Sequence, residues 1–367
     1  MQPQYYIGIM SGTSMDGADA VLIQMQGKQW QRAVAHSFLP YSDGLRQELL
    51  ALQDIGENEL HRSNILAQTL SRLYAQTVQQ LLTEQNLSAK DIAAIGCHGQ
   101  TIRHAPEHGY SIQLVNLPLL AELTGIFTVG DFRSRDLACN GQGAPLVPAF
   151  HEALFRDANE TRAVLNIGGI SNISILPPDS PSFGFDTGPG NMLMDAWMQH
   201  IWQQPYDKNG EKAAQGEILP DLLASLLDHP YFSRPYPKST GRELFSLSWL
   251  QGHLKGDEKP EDVIRTLVFY TAQTIFDATK QAAPAIHHLY ICGGGIRNPV
   301  LMHDLKALFS PDTKLHSTAK LHLDPQWVEA AAFAWLAACW CNQVPSNPHH
   351  ATGAHSHRIL GSGHYGN

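Results

Sequence analysis

Short apolar runs recur along the chain, and several of them end in a glycine-rich, polar turn. Residues 5–10 are aromatic or aliphatic apart from Gly8, residues 11–17 form such a turn, and residues 18–24 are again mostly apolar. Residues 162–167, the Gly168-Gly169 pair and residues 170–176 repeat this order. Runs of this length bounded by glycine predict strands joined in hairpins. The repeat indicates one structural unit used twice, with two unrelated hairpins as the alternative.

Helical periodicity separates these strands. Leu66, Leu70, Leu73 and Leu81 lie at helical spacing, which predicts an amphipathic helix over 57–85. Short apolar runs bounded by turn residues predict further strands at 30–38, 92–97, 182–185 and 289–292. Further helices are predicted at 191–203, at 265–280 and from Pro299 onward. Residues 205–260, rich in Pro, Gly and charge, are predicted to be a variable, surface-exposed region with short helices. Strands alternating with helices predict an α/β protein with mixed sheets flanked by helices.

The length of the chain favours two domains. A chain of 367 residues exceeds what one hydrophobic core usually serves. We expect the first domain at 1–130, joined by a C-terminal tail at 341–367, and the second at 131–340. The composition, 43% hydrophobic and 16% charged, is that of an ordinary folded protein.

Charge and hydropathy exclude two classes of partner. The net charge of -9, with no compensating basic run, argues against a nucleic-acid partner. The most apolar stretch, 327–341, is shorter than the roughly 20 residues that a membrane span requires. We therefore expect no membrane association and a cytoplasmic protein.

Three glycine-rich turns follow predicted strands, at 11–17, 168–169 and 293–295. Backbone N–H groups approach an anion closely only where no Cβ intervenes, so such turns suit phosphate binding. One turn of this kind is weak support, but three in a duplicated frame favour an ATP site. The GxxxxGK[ST] pattern and a GxGxxG at a strand–helix junction are absent from the sequence, which argues against P-loop and dinucleotide enzymes.

At these positions the sequence resembles a known superfamily. Residues 7–19 resemble the first phosphate hairpin of the actin, hexokinase and Hsp70 group, residues 165–170 the second, and residues 291–295 with Asn298 the adenosine loop. The segments GIMSGTSMDGAD, GCHGQT, GDFRSRDLACNGQGAPLVP, LNIGGISNIS, FDTGPGN and CGGGIRN are together similar to the anhydro-N-acetylmuramic acid kinase family. The resemblance runs in order over about 5–340.

This resemblance implies a fold and a reaction. The fold would be two actin/hexokinase-like, ribonuclease H-like domains with an interdomain ATP cleft. The reaction would convert 1,6-anhydro-N-acetylmuramic acid, ATP and water into N-acetylmuramic acid 6-phosphate and ADP, in peptidoglycan recycling. The implied cofactors are ATP and Mg²⁺, the substrate is a small amino sugar, and the expected assembly is a homodimer.

The resemblance also assigns nucleotide and metal residues. The expected ATP-binding positions lie in the three turns: Gly12, Thr13, Ser14, Met15, Asp16, Gly17, Ala18, Asp19, Gly168, Gly169, Gly293, Gly294, Gly295 and Asn298. Many relatives in the superfamily carry a metal-binding Asp in the strand before the first hairpin, but this region reads Ile9-Met10-Ser11 here. Asp16 or Asp19 would then serve Mg²⁺, which prefers oxygen ligands. The alternative is that either carboxylate stabilises the turn.

Asp186 is the expected catalytic base. The anhydro sugar has no free 6-hydroxyl, so water must attack the anomeric carbon while O6 takes the γ-phosphoryl group. A carboxylate positioned to accept the proton of that water typically contributes about 10²–10⁴-fold. Asp186 ends a short predicted strand and precedes Thr-Gly-Pro-Gly, which leaves space around it. The alternative is a cap on the helix that begins near Asn191.

The expected sugar contacts are Ser11, His98, Gln100 and Arg133, from three motif segments, and Glu329, from an Ala-rich helical pattern. Arg133 would pair with the lactyl carboxylate of the sugar in a bidentate manner. The alternatives are a salt bridge from Arg133 to Asp131 or Asp136, a core role for His98, and a solvent-facing position for Glu329.

The motifs leave three further functions open. An ATP-responsive, non-catalytic scaffold would share the hairpins but has no need of FDTGPGN or GDFRSRD. A kinase acting on a free sugar hydroxyl would keep the ATP site but accept an ordinary amino sugar. An anhydrosugar hydrolase would open the same ring without using ATP.

Overall fold

A computed structural model describes residues 2–12, 15–236, 238–241, 244–283, 285–309 and 311–366. The strands of the described residues are β1 (Gln4–Met10), β2 (Gly17–Gln26), β3 (Gln29–Pro40), β4 (Ile92–Cys97), β5 (Gln100–Ala105), β6 (Tyr110–Leu114), β7 (Thr128–Gly130), β8 (Arg162–Ile167), β9 (Ile170–Leu176), β10 (Phe183–Pro189), β11 (His288–Cys292), β12 (Lys314–Ser317) and β13 (Ser362–His364).

The α-helices in the same part of the chain range from one turn to seven turns in length. They are α1 (Asp43–Ala51), α2 (Glu59–Glu84), α3 (Leu117–Thr124), α4 (Ser134–Leu137), α5 (Val147–Phe155), α6 (Met192–Trp202), α7 (Pro220–Leu227), α8 (Leu247–Gln251), α9 (Pro260–Ala282), α10 (Pro299–Phe309), α11 (Val328–Cys341) and α12 (His349–Thr352). The long helix predicted at 57–85 is confirmed as α2.

The chain divides into two compact units. Unit 1 comprises Met1–Leu154, Leu321–Leu323 and Trp327–Asn367, and unit 2 comprises Phe155–Lys320 and Asp324–Gln326. This division differs from the expected domains, because residues 131–154 and 327–340 belong to unit 1. The reason lies in α11, which is apolar around its whole circumference and is buried against β1 and β4.

Two glycines allow α11 to approach that sheet. A Cβ at Gly8 of β1 would overlap the carbonyl oxygen of Ala330, and one at Gly96 of β4 would overlap that of Phe333. The helix therefore contacts the strands backbone to backbone. This contact fixes the first turn of α11, and with it the position of Glu329, relative to the ends of β1 and β4.

Each unit contains a mixed sheet of the same design. In unit 1 the strand order is β13-β7-β4-β1-β2-β3, and in unit 2 it is β10-β9-β8-β11-β12. In unit 1, β1, β2 and β3 pair antiparallel in that order, and β4 and then β7 add in parallel on the other side of β1. In unit 2, β8, β9 and β10 pair antiparallel in the same way, and β11 and then β12 add in parallel on the other side of β8. The predicted α/β class, with ribonuclease H-like sheets and one structural unit used twice, is confirmed by this order.

The segment 205–260 does not match its prediction as a variable surface region. Ala213, Leu226, Tyr231, Phe245 and Leu250 within it are fully buried in the core of unit 2. Aromatic contacts connect Tyr231 and Phe245. The sequence did not indicate this contribution to the core, because the segment is locally polar. Its apolar residues are spaced irregularly between Pro and Gly and show neither a helical nor a strand period.

No helix in the described part of the chain is long and apolar enough to cross a membrane. The five cysteines are free; Cys97, Cys292 and Cys339 are buried, whereas Cys341 is exposed.

Candidate active site

The first glycine-rich turn connects β1 to β2 and begins with Ser11 and Gly12. Thr13 and Ser14, both expected to bind nucleotide, lie outside the described residues. Ser11 is only 2% exposed, and its hydroxyl donates to Oε1 of Gln100 at 2.5 Å. The Gln100 amide donates in turn to the carbonyl of Gly12 at 3.2 Å. Ser11 and Gln100, both expected to contact the sugar, are thus brought together beneath the turn.

Three further residues of this turn also serve the fold. Met15 has a φ of 55° and a fully buried side chain, so it anchors the turn in the core of unit 1. A Cβ at Gly17 would overlap the carbonyl oxygen of Leu39 on β3, and Ala18 is fully buried. At Met15 and Ala18, both expected to contact nucleotide, only the backbone can do so without unpacking the core.

The two acidic residues of the turn differ in their surroundings. Asp16 is exposed, and its nearest cation is Arg46 at 3.9 Å, a distance at which an exposed ion pair contributes little. Asp19 lies at the start of β2, opposite Met10, and its Oδ1 lies 2.7 Å from Nε2 of His36. His36 stacks on Trp327 with ring centroids 5.5 Å apart. Asp19 is therefore held in place, whereas Asp16 is not.

His98, Arg133 and Glu329 form a polar cluster in unit 1. Nη2 of Arg133 lies 2.8 Å from Nε2 of His98, and Nη1 donates to the carbonyl of Gly143 at 2.7 Å. A guanidinium group can only donate, so Nε2 of His98 must be the acceptor and the ring is neutral. Burial, reinforced by the charge of Arg133, lowers the pKa of His98 well below its usual range.

The guanidinium group of Arg133 keeps one N–H donor, on Nε, without a hydrogen-bond partner among the described residues. Burial lowers its pKa to about 10, although the charges of Glu329 and Asp136 oppose that shift. The Nε atom is also buried. The alternative salt bridges are not formed, because Asp131 accepts from Ser134, and Asp136 accepts from Gly143, Asn347 and Thr352. A buried cation with an unused donor suits an incoming carboxylate.

Glu329 extends from the first turn of α11 into this cluster. The residue is accessible to water, but the surrounding protein displaces enough solvent to raise the pKa of its carboxyl. The negative charge of Asp19 raises it further, whereas Arg133 opposes the shift. Glu329 is therefore exposed, which matches the solvent-facing alternative, and it also lies within electrostatic reach of Asp19 and Arg133.

The second glycine-rich turn, between β8 and β9, is fixed by backbone hydrogen bonds. The N–H groups of Gly190 and Asn191 donate to the carbonyls of Gly169 and Gly168 at 2.9 and 2.8 Å. A Cβ at Gly169 would meet no protein atom closer than Met192 Cβ at 3.9 Å. Packing therefore does not require glycine at 169, and the open space above the backbone is available to a ligand.

The third turn contains Gly293, Gly294, Gly295 and Asn298. Gly293 has a φ of 83°, and a Cβ at Gly295 would overlap the side chain of Ile167, so both glycines serve the fold. Asn298 accepts from the N–H groups of Val300 and Leu301 at 3.1 and 3.2 Å, which caps α10. Its side-chain oxygen is therefore already engaged.

Asn191 connects the second and third turns, although the sequence motifs suggested no binding role for it. Its Nδ2 donates to the carbonyl of Ile167 at 3.3 Å, and its amide lies 3.2 and 3.6 Å from the Cβ positions that Gly295 and Gly294 would have. The signal was present in the sequence, because Asn191 closes the motif FDTGPGN.

Asp186 lies on β10 and is partly buried. The N–H of Thr240 donates to its Oδ2 at 3.0 Å, and no hydrogen bond from a described residue reaches Oδ1. Burial raises the pKa of its carboxyl to about 6, and the hydrogen bond from Thr240 offsets only part of that effect. Asp186 does not cap α6, which begins at Met192. A carboxylate with a raised pKa and a free oxygen can accept a proton.

The backbone of Asp186 is held by the segment 205–260, which was expected to lie on the surface. The hydroxyl of Tyr231 donates to the Asp186 carbonyl at 2.6 Å, and the Asp186 N–H donates to the carbonyl of Lys238 at 2.9 Å. Lys238 Nζ donates to the carbonyls of Tyr231 and Phe232 at 3.3 and 3.0 Å. The aromatic cluster YFSRPY was the available signal, since such residues are rarely grouped on a purely solvated loop.

Comparison with known proteins finds similarity over nearly the whole chain, including every motif described above. The family model described as anhydro-N-acetylmuramic acid kinase matches residues 4–366. The chain is 71% identical over 365 residues to the anhydro-N-acetylmuramic acid kinase of Neisseria meningitidis serogroup C, and 70% identical to that of Neisseria gonorrhoeae, with all of each protein covered. It is 51% identical over 361 residues to the enzyme of that name from Nitrosomonas europaea, covering 98% of this chain and 99% of the relative. The chain belongs to the anhydro-N-acetylmuramic acid kinase family.

Proposed function

We propose that this protein is an ATP-dependent kinase that opens and phosphorylates 1,6-anhydro-N-acetylmuramic acid in cell-wall recycling. Family membership supports the reaction class. The single observation that carries the mechanism is Asp186, a partly buried carboxylate with a pKa near 6 and one oxygen without a protein donor among the described residues.

The reaction requires one proton acceptor and one phosphoryl acceptor. Water attacks the anomeric carbon, the bond from that carbon to O6 breaks, and O6 takes the γ-phosphoryl group as the β,γ-bridging bond of ATP breaks. Oδ1 of Asp186 accepts a proton from the attacking water. With a pKa of about 6, the carboxyl is ionised about ten to one at pH 7, and it is a stronger base than an ordinary aspartate.

Arg133 and Glu329 are the proposed sugar contacts. The lactyl carboxylate would pair with Arg133, whose Nε has no protein partner among the described residues. Because His98 accepts from Arg133, it keeps the guanidinium plane in a fixed orientation. Glu329 would accept hydrogen bonds from sugar donors. Its raised pKa is consistent with a carboxyl that gains such donors on binding.

The glycine-rich turns are the proposed ATP site. At Gly168, Gly169 and Gly294 an added Cβ would not overlap other protein atoms, so packing does not explain these glycines. They are therefore the positions where phosphates can approach the backbone. Mg²⁺ usually takes one or two carboxylates and keeps its other positions for water and phosphate. Asp19 fits this chemistry better than Asp16, because His36 fixes its orientation and Glu329 places a second carboxylate within electrostatic reach. The bound ion would neutralise developing charge on the transferred phosphoryl group.

We place the enzyme in the cytoplasm, where ATP is supplied, and propose a homodimer, the assembly implied by the family resemblance. Sedimentation velocity of the purified chain tests the dimer. A single species at the monomer mass across micromolar concentrations would contradict it.

The decisive experiment for the reaction uses ¹⁸O-labelled water. The protein is incubated with Mg-ATP and 1,6-anhydro-N-acetylmuramic acid, and the product is analysed promptly by mass spectrometry. We expect one ¹⁸O at the anomeric hydroxyl, none in the phosphate, and one ADP formed per sugar. Prompt analysis is needed because the anomeric hydroxyl exchanges with solvent.

Each competing function gives a different result once a second tube, with N-acetylmuramic acid in place of the anhydro sugar, is run beside the first. A hydrolase yields labelled, unphosphorylated sugar without ADP. A kinase for free hydroxyls leaves the anhydro sugar unchanged but phosphorylates N-acetylmuramic acid. A non-catalytic scaffold binds nucleotide and changes neither sugar. Any of these three results would overturn the proposal.

A further inference from the structure

Two buried tyrosines lie directly behind the first glycine-rich turn. Tyr41 follows β3 and Tyr74 lies in the middle of α2; both side chains are buried, and that of Tyr74 completely. Their hydroxyl oxygens are 3.2 Å apart, and the hydroxyl of Tyr41 donates to Oγ of Ser11 at 2.8 Å. We call Tyr74, Tyr41, Ser11 and Gln100 the tyrosine network.

The direction of every proton in this network is fixed by its last member. The Gln100 amide nitrogen lies 3.2 Å from the carbonyl of Gly12 and 3.3 Å from that of Thr101. Carbonyls only accept, so these contacts identify the NH₂ group, and Oε1 must face Ser11. Ser11 therefore donates to Gln100 and accepts from Tyr41, and Tyr41 in turn accepts from Tyr74. All three hydroxyl protons point toward Gln100.

Tyr41 also holds the other end of the turn. Its backbone N–H donates to the carbonyl of Asp16 at 2.9 Å, while its hydroxyl holds Ser11. The carbonyl of Gly12 accepts both from Gln100 and from the N–H of Met15, the latter at 3.2 Å. One residue outside the turn thus fixes its first and its last peptide, and Gln100 fixes a peptide between them.

Burial makes these contacts consequential. Gln100 is fully buried and its described hydrogen bonds occupy both amide protons and the carbonyl oxygen. Burial raises the pKa of Tyr41 to about 12, so the phenol stays a neutral donor across the working pH range. Removal of one hydroxyl would leave a buried group unsatisfied, which costs more than an ordinary hydrogen bond contributes.

We propose that Tyr41 and Tyr74 are positioning residues that lock the first turn in its nucleotide-binding form through Ser11 and Gln100. This inference rests on the proposed function of the turn as a phosphate site. It also revises two expected sugar contacts: Ser11 and Gln100 act chiefly on the turn, and Ser11 can meet a ligand only as an acceptor.

The test compares three single substitutions that each remove one hydroxyl. Tyr41→Phe and Tyr74→Phe remove network members, and Tyr6→Phe is the matched control. Tyr6 lies on β1, is 1% exposed, and its hydroxyl bonds Gln4 at the other end of the strand. For each variant we would measure the ADP dissociation constant by calorimetry, kcat and KM for ATP, and Tm.

We expect Tyr41→Phe to weaken ADP binding and lower kcat/KM for ATP by roughly 3- to 10-fold, and Tyr74→Phe by less, because it acts one bond further away. Tyr6→Phe should lower Tm without either effect. In a cycle with Ser11→Ala, Tyr41→Phe should add little, because its acceptor is already gone. Equal nucleotide effects in Tyr41→Phe and Tyr6→Phe, or additive effects in the cycle, would overturn the proposal.

Failure of the proposed function is separable from failure of this inference. If the wild-type protein binds ADP but leaves the anhydro sugar unchanged, the reaction is wrong, and the calorimetric comparison still tests the network. If the reaction proceeds and Tyr41→Phe leaves ADP binding and kcat/KM unchanged, the reaction stands and the positioning role is wrong.

Discussion

Units 1 and 2 build the same strand order but hold their first turns by different means. In unit 1 the turn after β1 is held by the side chains of Tyr41, Ser11 and Gln100 in addition to the backbone N–H groups of Tyr41 and Met15. In unit 2 the turn after β8 is fixed by backbone donors from Gly190, Asn191 and Met192. Shared topology therefore places the two turns equivalently in their units without prescribing the contacts that hold them.

Glu329 of unit 1 and Asp186 of unit 2 also differ in the charged groups that surround their carboxylates. Glu329 of unit 1 lies within electrostatic reach of a cation, Arg133, and of another carboxylate, Asp19. Asp186 of unit 2 has no cation among the groups that shift its pKa, and burial dominates. A carboxylate without a cation nearby keeps a raised pKa and suits proton transfer, whereas one facing a cation suits binding. The proposed division into a binding unit and a base-supplying unit follows from this difference.

The largest expected effect comes from removal of the base in unit 2. Asp186→Asn should lower kcat by about 10²–10⁴-fold, because the amide cannot accept the proton of water. Affinity for ADP, measured by calorimetry, should stay within about twofold of wild type, because Asp186 is proposed to meet the attacking water and not the nucleotide. Asp179→Asn, in an exposed loop of the same unit, is the matched control. Near-normal turnover, or loss of ADP binding, would remove Asp186 from its assigned role.

Next in size is the loss of the cation in unit 1. Arg133→Lys keeps the charge but not the planar fork, so KM for the anhydro-muramic sugar should rise about 10- to 100-fold. Activity toward 1,6-anhydro-N-acetylglucosamine, which lacks the lactyl carboxylate, should change far less. Arg135→Lys, exposed and two residues away, is the control. Equal losses on both sugars would show that Arg133 does not recognise the lactyl group.

A pH profile measures the electrostatic difference directly. The folded pKa of Asp186, about 6, lies above its ordinary value of 3.8. The base is therefore protonated below pH 6, and log(kcat/KM) should fall with a slope of about one per pH unit on the acid side. An acid limb centred near 4 would indicate an ordinary exposed carboxylate and contradict the proposed base.

The same shift has a consequence for stability. Because the folded pKa is raised, the contribution of Asp186 to stability is fully present below its unfolded pKa and is lost as pH rises through about 6. Asp186→Asn should therefore be more stable than wild type at pH 7, and the difference in Tm should vanish near pH 3. A variant that is less stable than wild type at pH 7 would show that the Thr240 contact outweighs burial.

The smallest expected effects distinguish glycines that serve packing from glycines that leave room for ligand. Gly295→Ala should reduce the free energy of unfolding by about 1–3 kcal/mol, because its Cβ overlaps Ile167. Gly169→Ala should leave stability nearly unchanged and weaken ADP binding, because its Cβ would make only an ordinary contact with Met192 Cβ at 3.9 Å and would occupy space proposed for phosphate. Urea denaturation and calorimetry on both variants check this. The reverse assignment would mean that the open space above Gly169 is not the phosphate site.

The sequence predicted most of the fold correctly because the relevant signals are local. The bounds of β4, β8 and β9 follow from apolar runs that stop at glycine, at proline or at the polar segment His98-Gly99, and α2 follows from leucines at helical spacing. The duplicated strand–turn–strand pattern indicated the repeated unit. The boundary between units was missed, because the two glycines that admit α11 to the first sheet are far from it in sequence.

The site was predicted unevenly for a related reason. Motif residues such as Asp186 and Arg133 were identified because their neighbours in sequence are distinctive. Thr240 and Tyr231, which hold Asp186, and Tyr41, which holds Ser11, were not identified. They contact the motifs from distant segments, and although the aromatic cluster around Tyr231 is visible in the sequence, nothing local shows which motif it contacts.

By itself the sequence determined the family, the two α/β sheets and the residue types that chemistry requires. Only the tertiary structure decided which side chains those residues meet. Asp186 has a pKa near 6 because a segment more than forty residues away buries it. Ser11 donates to Gln100 because the carbonyls of Gly12 and Thr101 hold the amide nitrogen of Gln100 and leave only its oxygen facing Ser11. Burial and hydrogen-bond polarity depend on all the groups around an atom, and the chain brings those groups together only when it folds.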